Sequence, residues 1–348
     1  MLAVALAAVV VASASCSTVG YYAQAVHGHF ALLAAAKPIP VWLDDPATPE
    51  DLKLRLQRAQ KMRVFASREL GLPDNRSYTA YADLKRPAAV WNVFAAPELS
   101  LQLKNWCYPF FGCAGYRGYF DKEDAEELAD ELRRQSYEVN VGVVPAYSTL
   151  GWFDDPLLNT FINQGEGELA RLIFHELAHQ VVYVKDDTVF NESFATTVER
   201  VGARRWLAAE GDDVTRAAYA LKQERRGDFL GLLREFRNLL AANYERNVSD
   251  DEKRSRKREI FAALQESYAK LKAERWGGWG GYDRYFAQPL NNSHLAAIGA
   301  YNDLVPNFEA LLRAEDDNLP RFYLRVKNLA KEDRAARTKA LEEALTPQ

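Results

Sequence analysis

Hydrophobic residues recur every three or four positions over two otherwise polar segments in the first half of the chain. In residues 48–70 they alternate with Arg and Lys, and in residues 122–135 with Glu, Asp and Arg. This period is that of an α-helix with one buried face. We therefore predict amphipathic helices over both segments.

Between and after these helices the pattern changes to that of strands. Residues 88–119 are rich in Val, Trp, Phe and Tyr with Pro and Gly interruptions, and residues 137–147 (YEVNVGVVPAY) alternate in polarity. From residue 165 to residue 272 helical periodicity dominates, and a loop, WGGWGGY, precedes further helices. The predicted fold class is α+β, mostly helical with a small β-sheet.

Length and composition allow one large core. The chain has 348 residues, of which 48% are hydrophobic. We expect a single unit over residues 16–348, with amino-terminal helices and the sheet in 16–164 and helices in 165–348. The near balance of 44 basic and 48 acidic residues predicts no nucleic-acid partner.

The amino terminus has the pattern of a targeting segment. Residues 2–14 (LAVALAAVVVASA) are apolar and are followed by Ser15 and Cys16. This order resembles a bacterial lipoprotein signal, in which residues 1–15 are removed and Cys16 is lipidated. The alternative is an uncleaved anchor over residues 2–23. Both predict a membrane-anchored protein of the bacterial cell envelope that faces the periplasm.

Two further cysteines, Cys107 and Cys113, lie in the segment WCYPFFGC. An oxidising periplasm permits a disulfide between them. The alternative is a pair of buried free thiols.

The segment ELARLIFHELAHQVVYV, residues 168–184, carries the main chemical signal. It contains no Gly or Pro and has apolar residues at helical spacing, so we predict one buried helix. His175 and His179 are four residues apart and therefore lie on one face of it. Two imidazoles at this spacing can bind one Zn²⁺ ion, and Glu176 can serve as the catalytic base that activates water.

A third metal ligand is available downstream. The segment FNESFATTVERVG, residues 190–202, predicts a second helix after a short turn at 185–187. A returning helix would bring Glu192 over the histidine face, which leaves one open position on the metal. Glu199, two turns further along the same face, is the alternative ligand, or else a partner of an imidazole or an arginine.

Several longer segments carry a family resemblance. They are RLIFHELAHQVVYVKDDTVFNESFATTVE, VWNVFAAPELSL, WCYPFFGCAGYRGYF, VPAYSTLGWFDDPLLNT and PLNNSHLAAIGAY. Together they resemble the bacterial family of predicted zinc-dependent aminopeptidases, whose members often carry lipoprotein signals. The resemblance runs over residues 16–312. NESFA is in addition similar to the NEGFA of aminopeptidase N-like gluzincins.

The resemblance implies a zincin-like metallopeptidase with a peptide or protein substrate. Its metal ligands would be His175, His179 and Glu192, with Glu176 as the base. A donor for the tetrahedral intermediate is expected beside the metal, and the candidates are Tyr301, His294 and Tyr282. The alternative function is a zinc-binding envelope protein that acts as a binding module, and aminopeptidase is not distinguished from endopeptidase.

Overall fold

The computed structural model describes residues 2–108 and 112–345, without the side chains of residues 2–18 and 299–302. The helices of these ranges are α1 (Leu2–Ala35), α2 (Ile39–Asp44), α3 (Glu50–Arg68), α4 (Lys122–Arg134), α5 (Glu166–His179), α6 (Thr188–Glu210), α7 (Asp213–Tyr244), α8 (Asp250–Glu274), α9 (Asp283–Phe286), α10 (Asn292–Asn302), α11 (Val305–Ala314), α12 (Leu319–Leu329) and α13 (Arg334–Ala344). The strands are β1 (Lys37–Pro38), β2 (Ala80–Ala82), β3 (Val90–Pro97), β4 (Trp106–Tyr108), β5 (Gly112–Ala114), β6 (Arg117–Tyr119), β7 (Tyr137–Val144) and β8 (Leu157–Leu158).

The α+β class is confirmed, and most of the predicted elements are present. The amphipathic segments form α3 and α4, and the Asp121 side chain caps α4 by accepting hydrogen bonds from the Glu123 and Asp124 amides. The alternating segment forms β7 and ends at Val144, just before Pro145. Proline lacks the amide that would continue the ladder.

The expectation of one small sheet is wrong, because the described strands form three. One sheet has the order β6-β3-β7 and is antiparallel, a second has the order β1-β2-β8, and β4 pairs with β5. Helix α4 packs on β3 and β7 through Ala125, Ala129 and Leu132. Short strands interrupted by Pro and Gly do not pair into one continuous ladder, and the described strands therefore divide among separate small sheets.

The main hydrophobic core surrounds α5 and α6. Leu169, Ile173 and Leu177 of α5 are buried with Phe194 and Val198 of α6. A second cluster joins α7 and α8 to the loop before α10. The candidate metal-binding segment therefore lies in the densest part of the molecule.

The predicted helix over 168–184 ends earlier than expected, at His179. The cause is Asn191, whose side chain accepts a hydrogen bond from the Val184 amide (2.8 Å) and donates one to the Val184 carbonyl (2.7 Å). These bonds replace those that a continuing helix would make. The chain consequently turns back after residue 179.

Within the described part of the chain, no helix combines the length and the apolar composition that a membrane crossing requires. The predicted signal peptide (residues 1–15) and the lipidation of Cys16 fall on side chains outside the described ones. Both stay predictions, as does the division of the chain at residue 165.

Candidate metal centre

Helix α5 brings the two histidines together inside the core. His175 and His179 are one helical turn apart, and their Nε2 atoms are 3.1 Å from each other. His179 is buried and His175 nearly so. Each ring thus directs one nitrogen toward the same point.

Helix α6 supplies the third group. Asp187 caps the helix by accepting a hydrogen bond from the Phe190 amide, and the chain returns antiparallel to α5. Glu192 Oε2 lies 3.2 Å from His175 Nε2, and Glu192 Oε1 lies 3.7 Å from His179 Nε2. One atom from each of the three side chains lies within 4.8 Å of the other two.

This arrangement fits a tetrahedral metal ion. Ligand bonds of about 2.0–2.2 Å to Zn²⁺ place the ligand atoms roughly 3.3–3.6 Å apart, close to the 3.1–3.7 Å that separate these atoms. A carboxylate and the lone pairs of two neutral imidazoles would repel one another unless a cation or a proton lay between them. His175, His179 and Glu192 could therefore hold Zn²⁺.

Glu199 occupies the opposite side of the His175 ring. Its Oε2 lies 3.1 Å from His175 Nδ1, and its Oε1 accepts a short hydrogen bond from Arg171 Nη2. A carboxylate at Nδ1 selects the tautomer whose Nε2 lone pair is free. The structure thus places Glu192 with both imidazoles, and Glu199 between His175 and an arginine.

The carboxyl of Glu176 lies beside this set, and burial raises its pKa to about 7. This value already includes the charges of Glu192 and Asp155, which also raise the pKa, and the effects of His175 and the Ser148 hydroxyl, which lower it. Such a value lies near neutral pH, where a general base is most effective. Burial lowers the pKa of His179 to about 4, so its ring is neutral, as a metal ligand must be.

The structure gives contacts for two of the three candidate oxyanion donors, and their role stays a prediction. The Tyr282 ring stacks on Phe229, with centroids 3.9 Å apart. His294 lies in the first turn of α10, where its Nδ1 accepts a hydrogen bond from the Asn291 amide at 3.3 Å. The side chain of Tyr301 lies outside the described ones.

The sequence-based reasoning overlooked Tyr116. It lies between β5 and β6, and the charges of Glu192 and Glu176 add to burial in raising the pKa of its hydroxyl. Tyr116 is therefore electrostatically coupled to the carboxylates of the candidate site. The only signal in the sequence was its position in WCYPFFGCAGYRGYF, which is conspicuous for its aromatic residues but says nothing about contact with α5.

The same segment holds the two cysteines. Cys107 and Cys113 are joined by a disulfide across the β4–β5 hairpin. The Cys113 amide donates a hydrogen bond of 2.6 Å to Asp186 Oδ1, in the turn between α5 and α6. The hairpin therefore braces the turn that brings Glu192 to the histidines.

The fold and the site together define an α+β protein with a buried His, His, Glu centre and an adjacent carboxyl group. A protein family described as "Putative aminopeptidase" matches residues 20–341 of the chain. The chain belongs to this family. No curated protein and no solved structure shows significant similarity to it.

Proposed function

We propose that this protein is a zinc-dependent peptidase of the gluzincin type. One observation carries the proposal, namely the convergence of the His175, His179 and Glu192 ligand atoms within 4.8 Å beside the carboxyl of Glu176. Family membership supports a peptidase and, within that class, an aminopeptidase. A zincin-like fold is the corresponding proposal for the architecture around α5 and α6.

The residues divide the chemistry between them. Zn²⁺, when bound, supplies a Lewis acid that polarises a carbonyl and makes water more acidic. Glu176 accepts the proton of the attacking water and delivers it to the leaving amine, for which a pKa of about 7 is well matched. Glu199 holds the His175 ring in place.

A peptide substrate would find a strand to pair with near this centre. Strand β7 lies at the edge of the β6-β3-β7 sheet in the described chain, and its continuation carries Ser148, whose hydroxyl influences Glu176. Extended peptides commonly add to such an edge. We infer that the substrate backbone runs along β7 toward Glu176.

The sequence and the disulfide support a proposal for the cellular location. An apolar segment that ends before Cys16 supports a lipoprotein signal, and a disulfide between Cys107 and Cys113 suits the oxidising periplasm. We propose a lipid-anchored protein of the bacterial cell envelope that faces the periplasm.

The Glu176→Gln variant tests the proposed reaction. It should retain Zn²⁺ by elemental analysis, because Glu176 is not a ligand, while cleavage of a diverse peptide library falls by about 10²-fold or more. Peptides with acetylated amino termini serve as the comparison, since only an aminopeptidase requires the free amine. If wild type and variant both bind zinc and neither cleaves any peptide, the protein is a zinc-binding module and the proposal is wrong.

A further inference from the structure

Helix α1 packs against the protein body along one face. The Tyr21 ring makes an edge-to-face contact with Tyr119, with centroids 5.5 Å apart, and Gln24 Oε1 accepts a hydrogen bond from the Phe120 amide at 3.2 Å. Gly28 lies directly on the Phe120 ring, where a Cβ atom would clash. The packed positions thus follow one another at helical spacing.

The opposite face of α1 is apolar and exposed. Val19, Tyr22, Val26 and Phe30, which we call the α1 stripe, have exposed fractions between 39% and 68%. Tyr22 and Val26 each lie two residues before a packed position, and two residues rotate an α-helix by about 200°. The stripe therefore points directly away from the protein body.

No charged residue interrupts this face. Residues 2–36 contain no Asp, Glu, Lys or Arg, and Lys37 is the first. Helix α3 shows the composition of a face that contacts water, since its exposed positions include Glu50, Asp51, Lys61 and Arg68. A helix face against water normally carries charges of this kind, so the stripe does not have the composition of a solvated face.

The apolar surface continues onto the loop after β7. The Phe153 ring lies 6.5 Å from that of Phe30 and 4.6 Å from that of His29. Its neighbour Trp152 is 79% exposed. Tryptophan with a free indole ring is characteristic of the boundary between lipid and water.

We propose that the α1 stripe, together with Trp152 and Phe153, lies in the interfacial zone of a lipid bilayer. The occupant follows from the position of Cys16, three residues before Val19 on the same helix, so this inference rests on the lipidation proposed above for Cys16. Apolar helix faces bury about 5–10 Å deep at this boundary. In interfacial helices the other face is usually charged; here the protein body covers it.

Quenching by brominated lipid tests this placement. The full chain is reconstituted in phosphatidylcholine vesicles whose acyl chains carry bromine, and the emission of Trp152 is obtained by difference from a Trp152→Phe variant. In that background Phe30→Trp adds a reporter on the stripe. The controls are Leu54→Trp and Leu324→Trp, at apolar positions of α3 and α12 that are 65% and 63% exposed.

The tryptophans at positions 30 and 152 should each lose about half of their emission or more, because the bromine atoms lie at the depth of the buried face. The control reporters should lose less than about a tenth, since they stay in water. Equal quenching at Phe30 and Leu54 would overturn the proposal. The proposal would also be wrong if bromine did not quench the tryptophan at position 30 and its emission shifted with the protein-to-lipid ratio. A second copy of the chain would then cover the stripe.

Discussion

The two ring nitrogens of His175 have different partners. Its Nε2 faces Glu192 and its Nδ1 faces Glu199, so one imidazole is held between two carboxylates. Burial lowers the pKa of His175, but the two adjacent carboxylates outweigh burial and raise the pKa well above its usual range. The Arg171 guanidinium compensates the charge of Glu199 on its far side.

This arrangement predicts different costs for the two glutamates. Glu192→Gln should abolish zinc retention, because it removes the anionic ligand, whereas Glu199→Gln should weaken zinc binding by about 10–100-fold. Competition with a chelator, measured on protein shown to be folded by circular dichroism, gives both affinities. Glu235→Gln, at an exposed position of α7, is the control. Equal losses at 192 and 199 would contradict the assignment.

We propose Tyr116 as an oxyanion donor, because the charges of both Glu192 and Glu176 raise the pKa of its hydroxyl. Tyr116→Phe should lower kcat by roughly 10²-fold with little change in KM, because the bond forms only in the transition state. Tyr119→Phe, in the same segment but without influence from these carboxylates, should leave kcat unchanged. A change in KM alone would assign Tyr116 to substrate binding instead.

At the scale of elements, the turn between α5 and α6 decides whether a site exists. Asn191 closes this turn through both backbone groups of Val184 and is buried. Without it, the Val184 amide would lose its partner, whereas the Val184 carbonyl would keep the hydrogen bond from the Asp187 amide at 3.3 Å.

Asn191→Ala should therefore reduce the free energy of unfolding by about 1–3 kcal/mol, the cost of one unsatisfied buried group. Zinc affinity should fall as well, because Glu192 is the next residue. Urea unfolding of the metal-free protein measures the first effect, with Asn328→Ala at an exposed position of α12 as the control. An unchanged free energy of unfolding would show that the turn forms without the hydrogen bonds between Asn191 and Val184.

At the scale of the whole molecule, distant segments converge on the start of α6. Asp187, its cap, makes a buried ion pair of 2.7 Å with Arg337 of α13, and Asp186 accepts from the disulfide hairpin. Removing one member of a buried pair leaves an uncompensated charge. Helix α13 therefore supports the candidate metal centre without contributing a ligand to it.

His294 predicts a pH dependence of the global stability. Burial lowers the pKa of His294 to about 4, below the 6.5 of an unperturbed histidine. As the pH falls, His294 is protonated in the unfolded chain before it is protonated in the folded protein. Its contribution to the free energy of unfolding is therefore fully present above about pH 7 and is lost as the pH falls from about 6.5 toward 4.

Unfolding in urea at pH 7.5 and pH 5 measures this effect on metal-free protein. Between pH 7.5 and pH 5 the free energy of unfolding of the His294→Gln variant should fall by about 2 kcal/mol less than that of wild type. The reason is that pH 5 lies about 1.5 units below the pKa of the unfolded histidine, and each unit is worth about 1.4 kcal/mol. An identical loss in both proteins would show that His294 is not held neutral in the fold.

Local order along the chain determined the features that depend on residues a few positions apart. The period of α3 and α4, the alternation of β7 and the shared face of His175 and His179 follow from backbone geometry alone. The resemblance to a family was visible for the same reason, because motifs are read in order. The match over residues 20–341 confirmed an aminopeptidase-like family.

Tertiary structure decided what depends on contacts between distant segments. The end of α5 at His179 is set by Asn191 on the following helix, and the influence of Glu192 on the pKa of Tyr116 arises between segments far apart in the sequence. His294, chosen from its sequence context, is engaged at the start of α10. Hydrophobic periodicity gives the face that a side chain occupies, but only packing decides which groups of other elements meet it there.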